Sequence, residues 1–186
     1  MQLRETLPYD VRHAVAALAS DGELRHKFRR FTLNPRVEGR ARSVLAFAKD
    51  LGFEVRELRL PHGVNGRLVT DAFSENGYAI EVNQTLSVEA KRFAVLHEIG
   101  HYFRHKDTAE AGLDFDFTFF DLSEGSFYVD ESKEREANEF AEALLFGDGQ
   151  LCAAVTLVGD RVEVLARYFG VTQNVVRIAV NKRKVK

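Results

Sequence analysis

Two histidines four residues apart, His97 and His101, with Glu98 directly after the first, are the residues here whose types and spacing could do chemistry. They lie in the stretch RFAVLHEIGHYFRH, residues 92–105. An α-helix turns ~100° per residue, so side chains at i and i+4 leave the same face. Two imidazoles placed in this way can bind one zinc ion. The neighbouring carboxylate can take a proton from a water that the metal activates. A catalytic zinc site needs one protein ligand more. Cys152 is the only cysteine and stands alone far along the chain, so a carboxylate is the natural third ligand.

The segment ESKEREANEFAEALLF, residues 131–146, offers several carboxylates. Its apolar residues Ala137, Phe140, Ala141, Leu144 and Leu145 define a buried helix face. Glu134 falls roughly 50–60° from the centre of that face, Glu136 about 100° away, and Glu142 nearly opposite. Glu134 also places Asn138 one turn later on its own side, where an amide can support a ligand histidine. The expected zinc ligands are His97, His101 and Glu134, with Glu136 in reserve, and Glu98 is the expected general base. A further group usually stabilises the oxyanion in peptide hydrolysis; Tyr128, Tyr102 and His105 are the candidates.

These residues need a scaffold, and the chain supplies an α+β one. Its 186 residues suit one compact domain with at most a small appendage, and 45% hydrophobic content is ample for a core. Val11 to Leu18 reads as a helix, ELRHKFRRF as a second basic helical segment, and Arg36 to Asp50 as one longer helix that Gly52 stops. From Phe53 to Asn83 the period changes to alternation, which predicts a small antiparallel sheet. Asn76-Gly77 marks a hairpin turn, and the strand Tyr78–Val82 leads into the histidine helix, capped by Ser87. A peptide substrate would pair with an edge strand near Tyr78–Val82. Thr108 to Val129 alternates acidic and aromatic residues, as a core-packed segment or a lid over the site. From Asp160 the pattern is helix, Gly170, and a second helix opened by Thr172, the spacing of a helix-turn-helix. The expected organisation is an N-terminal helical segment over 1–50, a metal-binding core over 51–148 and a C-terminal helical element over 149–186.

A net charge of −2 argues against a polycation that seeks nucleic acid or membrane. DNA contact by the basic C-terminal residues is a minor alternative. The first residues have no apolar run, and no stretch has the length of a membrane span, so the expectation is a soluble cytoplasmic protein.

Four segments carry a family resemblance: LPHGVNGRLV (60–69), RFAVLHEIGH (92–101), EREANEFAEALL (134–145) and LARYFGVTQNVVRIAV (165–180). Their order and spacing resemble the ImmA/IrrE family of zinc metallo-endopeptidases, which is close to other gluzincins. The resemblance implies a zincin-like fold. It also implies that Glu134, first in the pattern E-x-x-A-N, is the metal-binding glutamate and that Asn138 is in the supporting position. It implies cleavage of a helix-turn-helix transcriptional repressor, often encoded beside the protease in prophages and mobile elements. The chain has LLFG at 144–147 where family members usually continue LLMP, which touches the helix exit and not the ligands. The additional sensory-type domain of the larger radiation-response members is not expected here. A zinc-stabilised module that binds a repressor or DNA without turnover is the alternative function.

Overall fold

The computed structural model describes residues 22–33, 36–109, 131–147 and 149–183. The predicted helix at Val11–Leu18, Tyr128 and nearly all of the acidic–aromatic segment lie outside these residues.

Helix α1 (Gly22–Leu33) is followed by a two-residue ladder of β1 (Arg36–Val37) with β2 (Arg40–Ala41), and then by α2 (Val44–Asp50). The single helix expected over Arg36 to Asp50 is therefore half its predicted length. Glu38 and Gly39 take φ of 50° and 75°, left-handed values that a right-handed helix cannot contain. The helix begins only after Ser43, whose Oγ accepts the Ala46 N–H.

Three strands form the main sheet: β3 (Glu54–Leu58), β4 (Gly66–Thr70) and β5 (Tyr78–Asn83), in the order β3-β5-β4. The antiparallel expectation holds for β4 with β5, where Thr70 faces Tyr78 and Gly66 faces Val82. It fails for β3, which runs parallel to β5, so the sheet is mixed. Crossing from β3 to the far edge and returning through the middle makes β5 central. The Tyr78–Val82 strand is thus not an edge, and its backbone has no free side for a peptide. The hairpin turn spans residues 71–77 and is not a two-residue turn at Asn76-Gly77. Asn76 ties that loop down, donating to Leu51 O and accepting the Tyr78 N–H.

Two long helices carry the centre of the molecule, α3 (Val88–Ala109) and α4 (Glu131–Phe146). Ser87 caps α3 as expected, its Oγ accepting the Ala90 N–H at 3.2 Å. One apolar cluster joins Ile80 and Val82 of the sheet to Leu96 and Ile99 of α3 and to Phe140 and Leu144 of α4. Behind the two helices, Phe28 of α1 meets Phe103 and Phe140 edge-on, with ring centroids 5.1 and 5.9 Å away.

Three further helices follow: α5 (Gln150–Val158), α6 (Val162–Phe169) and α7 (Gln173–Arg183). Gly170 ends α6 in the left-handed conformation that glycine favours, and Thr172 Oγ1 accepts the Val175 N–H as α7 opens. The predicted helix–turn–helix spacing is present. Its turn is fastened to the histidine helix, because Arg92 of α3 donates from Nε to Gly170 O at 2.7 Å.

Candidate metal centre

His97 and His101 project from one face of α3, one turn apart, towards α4. The two helices run antiparallel and touch most closely at Gly100, where a Cβ would stand 2.8 Å from Ala137 O and 3.0 Å from Ala137 Cα. Glycine at 100 and alanine at 137 let the backbones approach so closely that a glutamate one turn from Ala137 reaches both histidines. That glutamate is Glu134. Its Oε2 lies 3.2 Å from His97 Nε2, its Oε1 lies 3.1 Å from His101 Nε2, and the two Nε2 atoms are 2.9 Å apart. Glu136 points elsewhere and pairs with Arg104 at 2.8 Å.

This triangle suits a tetrahedral cation. Zinc bonds of about 2.0–2.1 Å imply ligand separations of ~3.3 Å, so the donors need open by only a few tenths of an ångström. Asn138 supports the same arrangement. His97 Nδ1–H donates to Asn138 Oδ1 at 3.1 Å, which in the neutral ring leaves the Nε2 lone pair facing the other two donors. Electrostatics agree. Burial alone would lower the His97 pKa, but the hydrogen bond to Glu134 and the charges of Glu98 and Glu134 outweigh it and raise it. Glu134 is held well below the usual carboxylate range by its hydrogen bonds to His101 and then His97. The metal-free triad therefore keeps an ionised carboxylate and draws positive charge towards it.

Glu98 sits beside the triad and is buried. Desolvation pushes its pKa up, against the neighbouring histidine charges and a hydrogen bond from the Leu68 backbone. The carboxylate fits under β4 because residue 66 is glycine; a Cβ there would come within 3.1 Å of Glu98 Oε1.

The three donors and Glu98 open onto a cleft of about 1350 Å³. One rim is the loop at 62–65 with the start of β4, and the other is built from α4 and α7. Asn83 fastens the first rim, donating to Val64 O at 3.0 Å while its Oδ1 accepts from Thr85. Sequence reasoning singled out neither Gly66 nor Asn83 for the site, although Gly66 falls inside the LPHGVNGRLV segment. Of the oxyanion candidates, Tyr102 packs edge-on against Phe53 and Tyr78 and does not line the cleft. His105 is buried beside Lys133 O.

Residues 48–181 match the IrrE N-terminal-like domain, a peptidase family. Over 108 residues the chain is 31% identical to the metallopeptidase ImmA of Bacillus subtilis (strain 168). That alignment covers 58% of this chain and 57% of the Bacillus protein, so the chain spans little more than half of the relative's length. Among the described residues, no single helix is long and apolar enough to cross a membrane.

Proposed function

This chain belongs to the IrrE N-terminal-like peptidase family, and from that premise we propose that it is a zinc-dependent endopeptidase acting on a regulatory protein. The observation that carries the reading is one cluster: His97, His101 and Glu134, with donor atoms within 4.8 Å of one another, beside a buried glutamate on an open cleft. His97, His101 and Glu134 would hold Zn²⁺. When bound, zinc supplies Lewis acidity that brings the acidity of water and the polarisation of a carbonyl into a useful range near neutral pH.

Glu98 does the proton work. Desolvation favours its neutral form, so it takes a proton from the attacking water readily. It then delivers that proton to the leaving amine as the peptide bond breaks. The Leu68 N–H holds the carboxylate in place during both transfers. Asn138 keeps the His97 ring oriented. A substrate strand would pair along the free edge of β4, whose first residues line the cleft beside Glu98.

The expected substrate is a helix-turn-helix transcriptional repressor, from the family resemblance, and the expected compartment is the cytoplasm. The test is to strip the protein with a chelator, reload it with zinc and incubate each form with a neighbouring repressor, reading fragments by mass spectrometry. Zinc-dependent cleavage at one bond supports the peptidase. An intact repressor with the zinc-loaded protein would favour a binding module without turnover.

A further inference from the structure

The cleft runs from the metal centre towards the amino end of α3, and there its walls become apolar. Phe93 and Ala90 precede His97 by four and seven residues, so all three share one helix face. Leu86 closes the near side, and Val175 and Ile178 of α7 stand opposite.

Helix α7 carries two stripes with different duties. Val176, Ala179 and Val180 are buried in the core. Val175, Ile178 and Lys182, spaced i, i+3 and i+7, line the cleft; Val175 also packs against the core, whereas Ile178 is 42% exposed. An isoleucine facing solvent on a helix whose core face is already complete suits a ligand with an apolar group. We infer that Leu86, Ala90, Phe93, Val175 and Ile178 form a specificity pocket for one large aliphatic or methionine side chain of the peptide substrate. The inference rests on the peptidase reading.

The pocket's position sets the subsite. A rise of ~1.5 Å per residue puts Phe93 ~6 Å and Ala90 ~10 Å from the level of His97. An extended peptide advances ~3.3 Å per residue, so the pocket receives a side chain two or three residues from the scissile bond. Continuity with the metal centre favours a polypeptide as occupant, and charge argues against DNA. Lys182 and Arg67 are paired with Glu142 and Glu81 at 2.9 and 2.6 Å, and beside Arg135 the same cleft presents Glu98, Glu131 and Glu134. The helix that would read DNA in a helix-turn-helix reads the substrate here, because Arg92 fixes its turn beside the metal helix.

The experiment digests a positional peptide library with zinc-loaded wild-type protein and reads the cut sites by mass spectrometry. The expected profile is a ~10- to 100-fold enrichment of Leu, Ile, Met or Phe over polar residues at one position two or three residues from the cut. Ile178→Arg should move that preference towards Asp and Glu, and Ile178→Ser should flatten it, both at wild-type zinc content. A wild-type profile without apolar preference at that position, or one left unchanged by both variants, would overturn the pocket. No cleavage by the zinc-loaded wild type would overturn the peptidase reading itself, and the pocket with it.

Discussion

Replacing Gly100 by alanine should damage both the fold and the metal centre, for a reason that no side-chain contact of the wild type reveals. The new Cβ would sit 2.8 Å from Ala137 O and 3.0 Å from Ala137 Cα. Ordinary non-bonded contacts lie near 3.5 Å, so the deficit is roughly 0.5–0.7 Å. The opposing atoms are helix backbone and cannot rotate away, so α3 and α4 must separate. Overpacking of this kind costs about 1–3 kcal/mol. Alanine recovers up to ~1 kcal/mol through its better helix propensity, leaving a net loss between about 0 and 3 kcal/mol, centred on about 1–2 kcal/mol. For a chain of this size that is a fall in Tm of ~2–8 °C. The same movement carries Glu134 away from the histidines it now meets at 3.1 and 3.2 Å. Zinc affinity should therefore drop ~10- to 100-fold, the range seen when a ligand's support is lost. The assay is thermal unfolding of the metal-free variant together with chelator competition for zinc. An unchanged or raised Tm with wild-type zinc affinity would refute the close-approach reasoning.

Other outcomes follow from the same geometry. Glu134→Gln should weaken zinc binding more than ~100-fold, beyond the usual effect of losing a supporting residue, while Glu136→Gln should leave it nearly unchanged; competition titration of the two variants checks this, and equal losses would move the third ligand. Desolvation raises the Glu98 pKa in the folded, metal-free chain, so the folded state binds that proton more tightly than the unfolded one. Its ionisation then costs stability as pH rises above the unfolded value near 4.5, and the cost is absent below it. Metal-free Glu98→Gln should accordingly melt above wild type at pH 7–8, with the gap closing towards pH 4, which a pH series of melting curves would show.

The candidate site was far more legible in the sequence than the sheet that frames it. His97 and His101 declare themselves because i and i+4 on one helix is a local rule, and Glu134 follows from the periodicity of its own helix. Their meeting is long-range, yet it needs only two faces that both turn inward. The β1–β2 ladder escaped because Glu38 and Gly39 take left-handed φ values that apolar periodicity across Arg36 to Asp50 conceals. The position of β5 escaped for a different reason. Alternation marks a strand but carries no information on which neighbours flank it, so a parallel partner from residues 54–58 could not be foreseen. A glycine at position 100 permits close approach, but only the packed helices identify Ala137 as what approaches. The part proposed for α7 is tertiary throughout, since Val175 and Ile178 read equally well as core positions until the cleft is seen.

The proton role of Glu98 at a zinc centre is tested most directly by a paired measurement on Glu98→Gln, with zinc content and repressor cleavage determined on one preparation. The expected result is about one zinc per chain, as in wild type, because the three proposed ligands are untouched, with a cleavage rate reduced by ~10²- to 10⁴-fold, the usual loss on removing a general base. Cleavage at the wild-type rate by a zinc-loaded Glu98→Gln protein would contradict Glu98 as the base.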